Sequence, residues 1–116
     1  MDIQSLKDNV QREVDAIADQ LIACSDWMAD NPEIGLEEFK AAERLTAMLE
    51  EAGAAVTRGI ADLPTAFQAE LPGSSDGPTI AIIAEYDALP DVGHGCGHNI
   101  IANTAIGAAL ALIRLE

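Results

Sequence analysis

The run Thr79-Ile80-Ala81-Ile82-Ile83-Ala84 ends in Glu85-Tyr86-Asp87 and leads on to Gly93-His94-Gly95-Cys96-Gly97-His98-Asn99. Its opening block is apolar without alternation, the pattern of a central strand covered on both faces. The reading is a buried strand that stops at acidic residues and opens into a glycine-rich loop. That loop holds both histidines of the chain and one of its two cysteines. Thiolate and imidazole are soft and borderline donors, suited to zinc, manganese, cobalt or iron. The glycines allow a turn tight enough for Cys96 and His98 to face one centre. A catalytic zinc takes three protein ligands, so two donors make only part of a site.

Upstream, Ile3, Leu6, Val10, Val14, Ile17, Leu21 and Cys24 recur three and four apart. That spacing predicts one amphipathic helix over residues 2 to about 30, stopped by Asp30-Asn31-Pro32. Phe39, Ala42, Leu45, Leu49 and Ala52 predict a second, from about Leu36 to Ala52, with Gly53 as its C-terminal stop. Ala54 to Arg58 and Thr65 to Leu71 are short strand candidates. In the latter, Phe67, Ala69 and Leu71 alternate with Gln68 and Glu70, as in a half-exposed outer strand. Pro72 to Pro78 is a turn by composition. Cys24 and Trp27 read as core packing, and Glu37-Glu38 and Glu50-Glu51 as solvated helix faces.

Residues 99 to about 114 predict a third helix with almost no polar face. A helix apolar all round belongs in the middle of a larger body. Two amphipathic helices and three strands do not cover it, so more of a larger enzyme or a second copy of the chain is expected over it. Gly107, among alanines, marks a close helix-to-sheet approach, and no phosphate-loop pattern follows a strand. Leu115-Glu116 is also the pair that a common cloning junction leaves before an affinity tag, so an artificial end is one reading.

The 116 residues are enough for one domain with a modest core. Twenty acidic against six basic residues give a net charge of −14, spread along the chain. Such a surface disfavours nucleic acid and anionic membranes as partners. The N-terminus lacks the features of a signal peptide. The apolar segment near Ile100 to Ile113 is interrupted by Asn103 and Thr104 and falls short of the roughly 20 residues that span a bilayer. Two cysteines in such a chain indicate a reducing compartment, hence the cytoplasm, with a Cys24–Cys96 bridge as the alternative.

Ala84-Glu85-Tyr86-Asp87-Ala88-Leu89-Pro90, His94-Gly95-Cys96-Gly97-His98-Asn99 and Gly107-Ala108-Ala109, in that order, resemble a known signature. It is that of the dinuclear metallo-amidohydrolases of the aminoacylase–carboxypeptidase superfamily, in the branch of auxin-conjugate, hippurate and aminobenzoyl-glutamate hydrolases. Asn31-Pro32-Glu33-Ile34-Gly35-Leu36-Glu37-Glu38 resembles an early segment of the same branch. The resemblance implies an α/β fold, part of a metallopeptidase catalytic domain, with helices on a sheet of three or more strands. It implies Cys96 and His98 as metal ligands, and Asp87 as a carboxylate supporting them from behind. Glu85 sits where relatives carry His or Asp. Asn99 stands where many have Asp, and where the aminobenzoyl-glutamate branch often has Asn. His94 is expected to line the site without being a ligand.

The implied chemistry is hydrolysis of a small amide by two divalent metal ions, zinc or manganese, with a glutamate as general base. In relatives that glutamate, the remaining ligands and a smaller inserted domain follow the Cys-Gly-His block. Residues 1–116 are therefore expected to be the N-terminal part of the catalytic domain, inactive alone and possessing no general base of their own. The alternatives are a non-catalytic relative acting as a small oligomeric or interaction domain, and a thiol redox protein using Cys96.

Overall fold

The computed structural model describes residues 2–71 and 73–115. It holds four α-helices and one two-stranded sheet. In chain order these are α1 (Ile3–Ala16), α2 (Ala18–Asp30), α3 (Phe39–Glu51), β1 (Ala55–Arg58), a short 3-10 turn, β2 (Phe67–Glu70) and α4 (His98–Leu115). The mixture of helix and strand agrees with the α/β expectation, but no sheet of three or more strands forms among the described residues.

The single helix expected over residues 2–30 is two helices. Ile17 leaves helical geometry at φ −109° and ψ 7°, and its N–H turns back to the Val14 carbonyl. Ile17 is buried in the core, and the break there lets α1 and α2 each follow α4. α1 starts at Asp2, whose carboxylate accepts from Ser5 N at 2.8 Å as an N-cap.

The second helix begins at Phe39, later than Leu36, because Leu36 stands at φ +69°. Its exposed N–H groups are met from a distance in sequence. Glu33 Oε2 accepts from Lys40 N at 3.1 Å and Glu33 Oε1 from Ala41 N at 2.7 Å. α3 ends as expected at Gly53, φ +99°, with Ala54 N bonded to Leu49 O and Gly53 N to Glu50 O. Glu38 is not on a solvated face. It is 7% exposed, accepting from Leu36 N at 3.0 Å and from Thr65 Oγ1 at 2.7 Å.

β1 and β2 pair antiparallel, with Val56 opposite Ala69 and Arg58 opposite Phe67. The alternation in β2 holds: Phe67 and Ala69 are half-buried against the core while Gln68 and Glu70 are exposed. The expected turn at 72–78 lies partly outside the described residues at Pro72; Gly73 to Pro78 are exposed and irregular.

Residues 79–84 do not form the expected central strand. Ile80 is 84% exposed and Ile83 87%. An apolar strand is held by ladder partners on its edges and by packing on its faces. Among the described residues, Thr79 to Ala84 make no backbone hydrogen bond. The first ladder contact comes beyond them, at the parallel bridge between Ile34 and Ala88.

The core lies where α2, α3 and α4 meet, around Cys24, Met28, Leu45, Leu49, Ile106 and Leu110. Cys24 and Trp27 pack there as expected, with the Arg44 guanidinium 4.8 Å above the Trp27 ring. Gly107 does mark a close approach, to a helix instead of a sheet. A β-carbon there would stand 2.7 Å from Leu21 Cδ1 of α2. α4, at 18 residues, is longer than the sequence suggested and is long and apolar enough to cross a membrane. In this fold Ala102, Asn103, Ile106, Gly107, Leu110 and Ala111 face the other helices, while Ile100, Ile101 and Leu112 are exposed.

Candidate functional site

The chain turns sharply after Asp87. Leu89 and Gly93 bond to each other in both directions, at 2.9 and 3.0 Å, and send the loop back towards the acidic segment. Gly97, at φ +79°, then gives its carbonyl to Ile100 N and Ile101 N and so opens α4. A side chain at that φ would be strained, so the residue between Cys96 and His98 has reason to be glycine. His98 thereby becomes the first residue of the helix and meets the end of the extended segment.

Glu85 and Asp87 are two residues apart, the spacing that puts side chains on one side of an extended backbone. Between them they take both nitrogens of His98. Asp87 Oδ1 lies 2.8 Å from Nδ1, and the Asp87 carbonyl oxygen lies 3.0 Å from the same nitrogen. A carbonyl oxygen can only accept, so Nδ1 carries the proton and donates to both. On the other side, Glu85 Oε2 lies 3.0 Å from Nε2. The hydrogen bond that His98 donates to Asp87 is the main influence that lifts His98 above the ordinary histidine range. Burial opposes it, and the charges of Asp87 and Glu85 add to it. The His98 side chain is 19% exposed, that of Glu85 66%.

The other site residues from the sequence are arranged differently. Cys96 is exposed and takes no part in the contacts joining Glu85, His98 and Asp87. Both cysteines are free, Cys24 buried and Cys96 exposed, so the alternative bridge does not form. Asn99 is buried, and its amide donates to Ser25 Oγ at 3.0 Å and Ser25 O at 3.3 Å, tying α4 to α2. His94 is half-buried; its Nδ1 is shut from solvent and has no hydrogen-bond partner among the described residues. Burial first, then the charge of His98, push the His94 pKa below its usual range, with Asp87 opposing.

Behind Asp87 stands a set of residues to which the sequence reading gave no role at the site. Tyr86 OH donates to the Thr65 carbonyl oxygen, and Thr65 Oγ1 donates to Glu38. Ala88 N donates to Glu33 O at 2.8 Å. Tyr86 lies between two carboxylates on an alternating stretch, a position that sends its ring to the opposite side. That alternation was the one signal available; nothing local marks Glu38 or Thr65 as its support.

For a divalent metal the fit is partial. His98 has its Nδ1 proton engaged by a carboxylate, as in a histidine that ligates through Nε2, but here Nε2 itself faces Glu85 Oε2 at 3.0 Å. Among the described residues, however, no group of three or more His, Cys, Asp and Glu side chains is gathered so as to hold an ion.

No family model matches the chain. It is 39% identical over 119 residues to the Xaa-Arg dipeptidase of Mus musculus, a match covering 96% of this chain and 28% of that protein. It is 40% identical over 113 residues to a subunit of the p-aminobenzoyl-glutamate hydrolase of Escherichia coli (strain K12), covering 83% of this chain and 22% of that one. With N-acetyl-L-cysteine deacetylase of Bacillus subtilis (strain 168) the identity is 32%, over 80% of this chain and 25% of the relative. The chain thus spans between a fifth and a third of the length of these curated relatives. Their names are those of a dipeptidase, a hydrolase subunit and a deacetylase.

Proposed function

The chain belongs to the amidohydrolase and peptidase M20 superfamily, and from that premise we propose that it is the N-terminal part of a metal-dependent hydrolase's catalytic domain. The substrate is a small amide: an N-acyl amino acid, a dipeptide or an aminobenzoyl-glutamate-like conjugate. The observation that carries the reading is the clasp of His98 between Asp87 and Glu85 at the head of α4. A carboxylate on Nδ1 fixes the tautomer and aims Nε2, which is what a histidine ligand requires.

In this reading Cys96 and His98 contribute two donors towards two divalent ions, zinc or manganese. What those ions supply when bound is Lewis acidity at the amide carbonyl and at a water. The chain's own share is positional: Asp87 holds the His98 proton, Glu85 lies at Nε2, and Asn99 seats the first turn of α4 on α2. The general base is a glutamate outside residues 1–116, so the chain alone does not turn over substrate. The two free thiols suit the cytoplasm, and the acidic surface suits a protein that meets neither nucleic acid nor membrane.

A longer reading frame carrying this segment is expected to hydrolyse such amides in a chelator-sensitive manner, with loss on Cys96→Ser or His98→Gln. Residues 1–116 are expected to show no turnover. Chelator-sensitive hydrolysis by residues 1–116 themselves, or activity of the longer protein indifferent to both substitutions, overturns the reading.

The exposure of Ile80, Ile83, Ile100 and Ile101 favours a second reading, a non-catalytic domain that associates with itself through exposed apolar groups. Light scattering separates the two, since a folded monomer with α4 intact speaks against association.

A further inference from the structure

His98 receives two oxygens from one residue, the carboxylate and the backbone carbonyl of Asp87. The path of the main chain through residues 86–88 therefore fixes where the imidazole sits, as much as the Asp87 side chain does. Both neighbours of Asp87 are anchored. On one side Ala88 is buried, pairs with Ile34 in a parallel bridge and donates to the Glu33 carbonyl. On the other, Tyr86 donates its hydroxyl to the backbone of Thr65 and packs its ring against Phe67, the centroids 5.9 Å apart.

Thr65 is itself buried and held by Glu38, a carboxylate that makes no ion pair among the described residues. Burying a carboxylate against two neutral donors is costly, typically several kcal/mol, and replacing such groups with apolar ones is often neutral or stabilising. Packing alone does not call for a carboxylate here. Asp87 Oδ2 and Glu38 Oε1 both lie within 4 Å of the space beside Gly35, at 3.8 and 3.9 Å from where a β-carbon would stand. The buried carboxylate and the one that holds His98 thus share one small region of the fold.

We propose that Glu38 is a positioning residue for the Asp87–His98 pair, acting through Thr65 and the Tyr86 hydroxyl on the backbone at Asp87. The proposal rests on the reading of His98 as a ligand, because only there does the aim of Nε2 matter. Its physical content, the geometry of the Nδ1–H bond, is measurable without metal.

The test is proton NMR of the metal-free 116-residue chain. The His98 Nδ1–H, bonded to a carboxylate, gives a far-downfield resonance, identified by its loss in His98→Gln. Tyr86→Phe and Thr65→Val are expected to move that resonance upfield or broaden it away while far-UV circular dichroism is unchanged. Thr65→Ser, which keeps the hydroxyl, restores it, a rescue that a purely structural role for Thr65 does not explain. Glu38→Gln gives an intermediate shift. Folded Tyr86→Phe and Thr65→Val with the resonance in place overturn the proposal. If Thr65→Val fails to fold, Tyr86→Phe and Glu38→Gln decide together, and the resonance unmoved in either overturns the proposal. A Zn²⁺ titration of the wild-type chain and of Cys96→Ser judges the ligand reading separately: equal behaviour of the two counts against that reading and leaves the NMR result standing.

Discussion

Asn99 and Ser25, 74 positions apart, join the first turn of α4 to α2 through a single buried amide, Nδ2 donating to both the hydroxyl and the carbonyl of Ser25. A carboxamide suits this place because its N–H groups donate to both oxygens of Ser25. Asn99→Asp puts an acceptor against that carbonyl. The loss is expected to be about 1–3 kcal/mol, the usual penalty for a buried polar group deprived of its partner. Urea unfolding at neutral pH measures it, and an unchanged midpoint would show that the amide is not the tie it is taken to be.

Glu33 caps α3 from outside the helix, taking the N–H groups of Lys40 and Ala41. Glu33→Ala leaves both donors without it and is expected to cost about 0.5–2 kcal/mol, the range for losing an N-terminal cap. Glu33→Gln keeps an acceptor but not the charge and should lose less. Thermal unfolding of the pair orders them; equal melting temperatures for Ala and wild type contradict the capping role.

Gly107 and Leu21 set the distance between α4 and α2. The atom a β-carbon would meet is the tip of a half-buried leucine, which can turn aside. Gly107→Ala should therefore change stability by less than about 1 kcal/mol, since helix propensity offsets the crowding. Gly107→Val adds branches that Leu21 cannot avoid and is expected to lose about 1–3 kcal/mol. Chemical denaturation of the two variants, each compared with wild type, tests the contrast.

Tyr86 is the only tyrosine of the chain, so its ionisation can be followed by ultraviolet absorbance. Burial chiefly, then the charge of Glu38, push its pKa up to about 12, although the bond to Thr65 works the other way. The folded value lies above the unfolded one of about 10. The stabilisation from keeping the phenol neutral is thus complete below pH about 10 and is lost as the pH rises through about 12. The native chain should titrate near the upper value, and the chain in denaturant near the lower. A native midpoint at the ordinary phenol value would mean that Tyr86 is not shielded.

Much of this was legible in the sequence because its causes are local. The three-and-four spacing marked the helical stretch that α1 and α2 share and marked α3, a nearly unbroken apolar run marked α4, Gly53 closed α3, and Phe67-Gln68-Ala69-Glu70 displayed a half-exposed strand. The break at Ile17 was not legible, since its apolar neighbours continue the helical stripe across it. Thr79 to Ala84 carry the composition of a buried strand, but ladder partners decide whether one forms, and composition does not contain them. At the site, His98 could be named as a donor from its type and its glycine-rich loop, whereas Asp87 and Glu85 took their places from the family resemblance. Glu38 looked like a solvated charge because nothing adjacent reveals Thr65, 27 residues away, as its partner.

The free stretch at Thr79 to Ala84 has a mechanical consequence. It runs directly into Glu85, Tyr86 and Asp87, where the first anchors among the described residues come at Tyr86, through its hydroxyl, and at Ala88, through its backbone. The two carboxylates therefore sit on a cantilever, clamped at one end and loose at the other. A strand laid along Ile80 and Ile83 would clamp the loose end as well. The sharpness with which Glu85 addresses His98 is then linked to the ordering of a segment that never touches the imidazole.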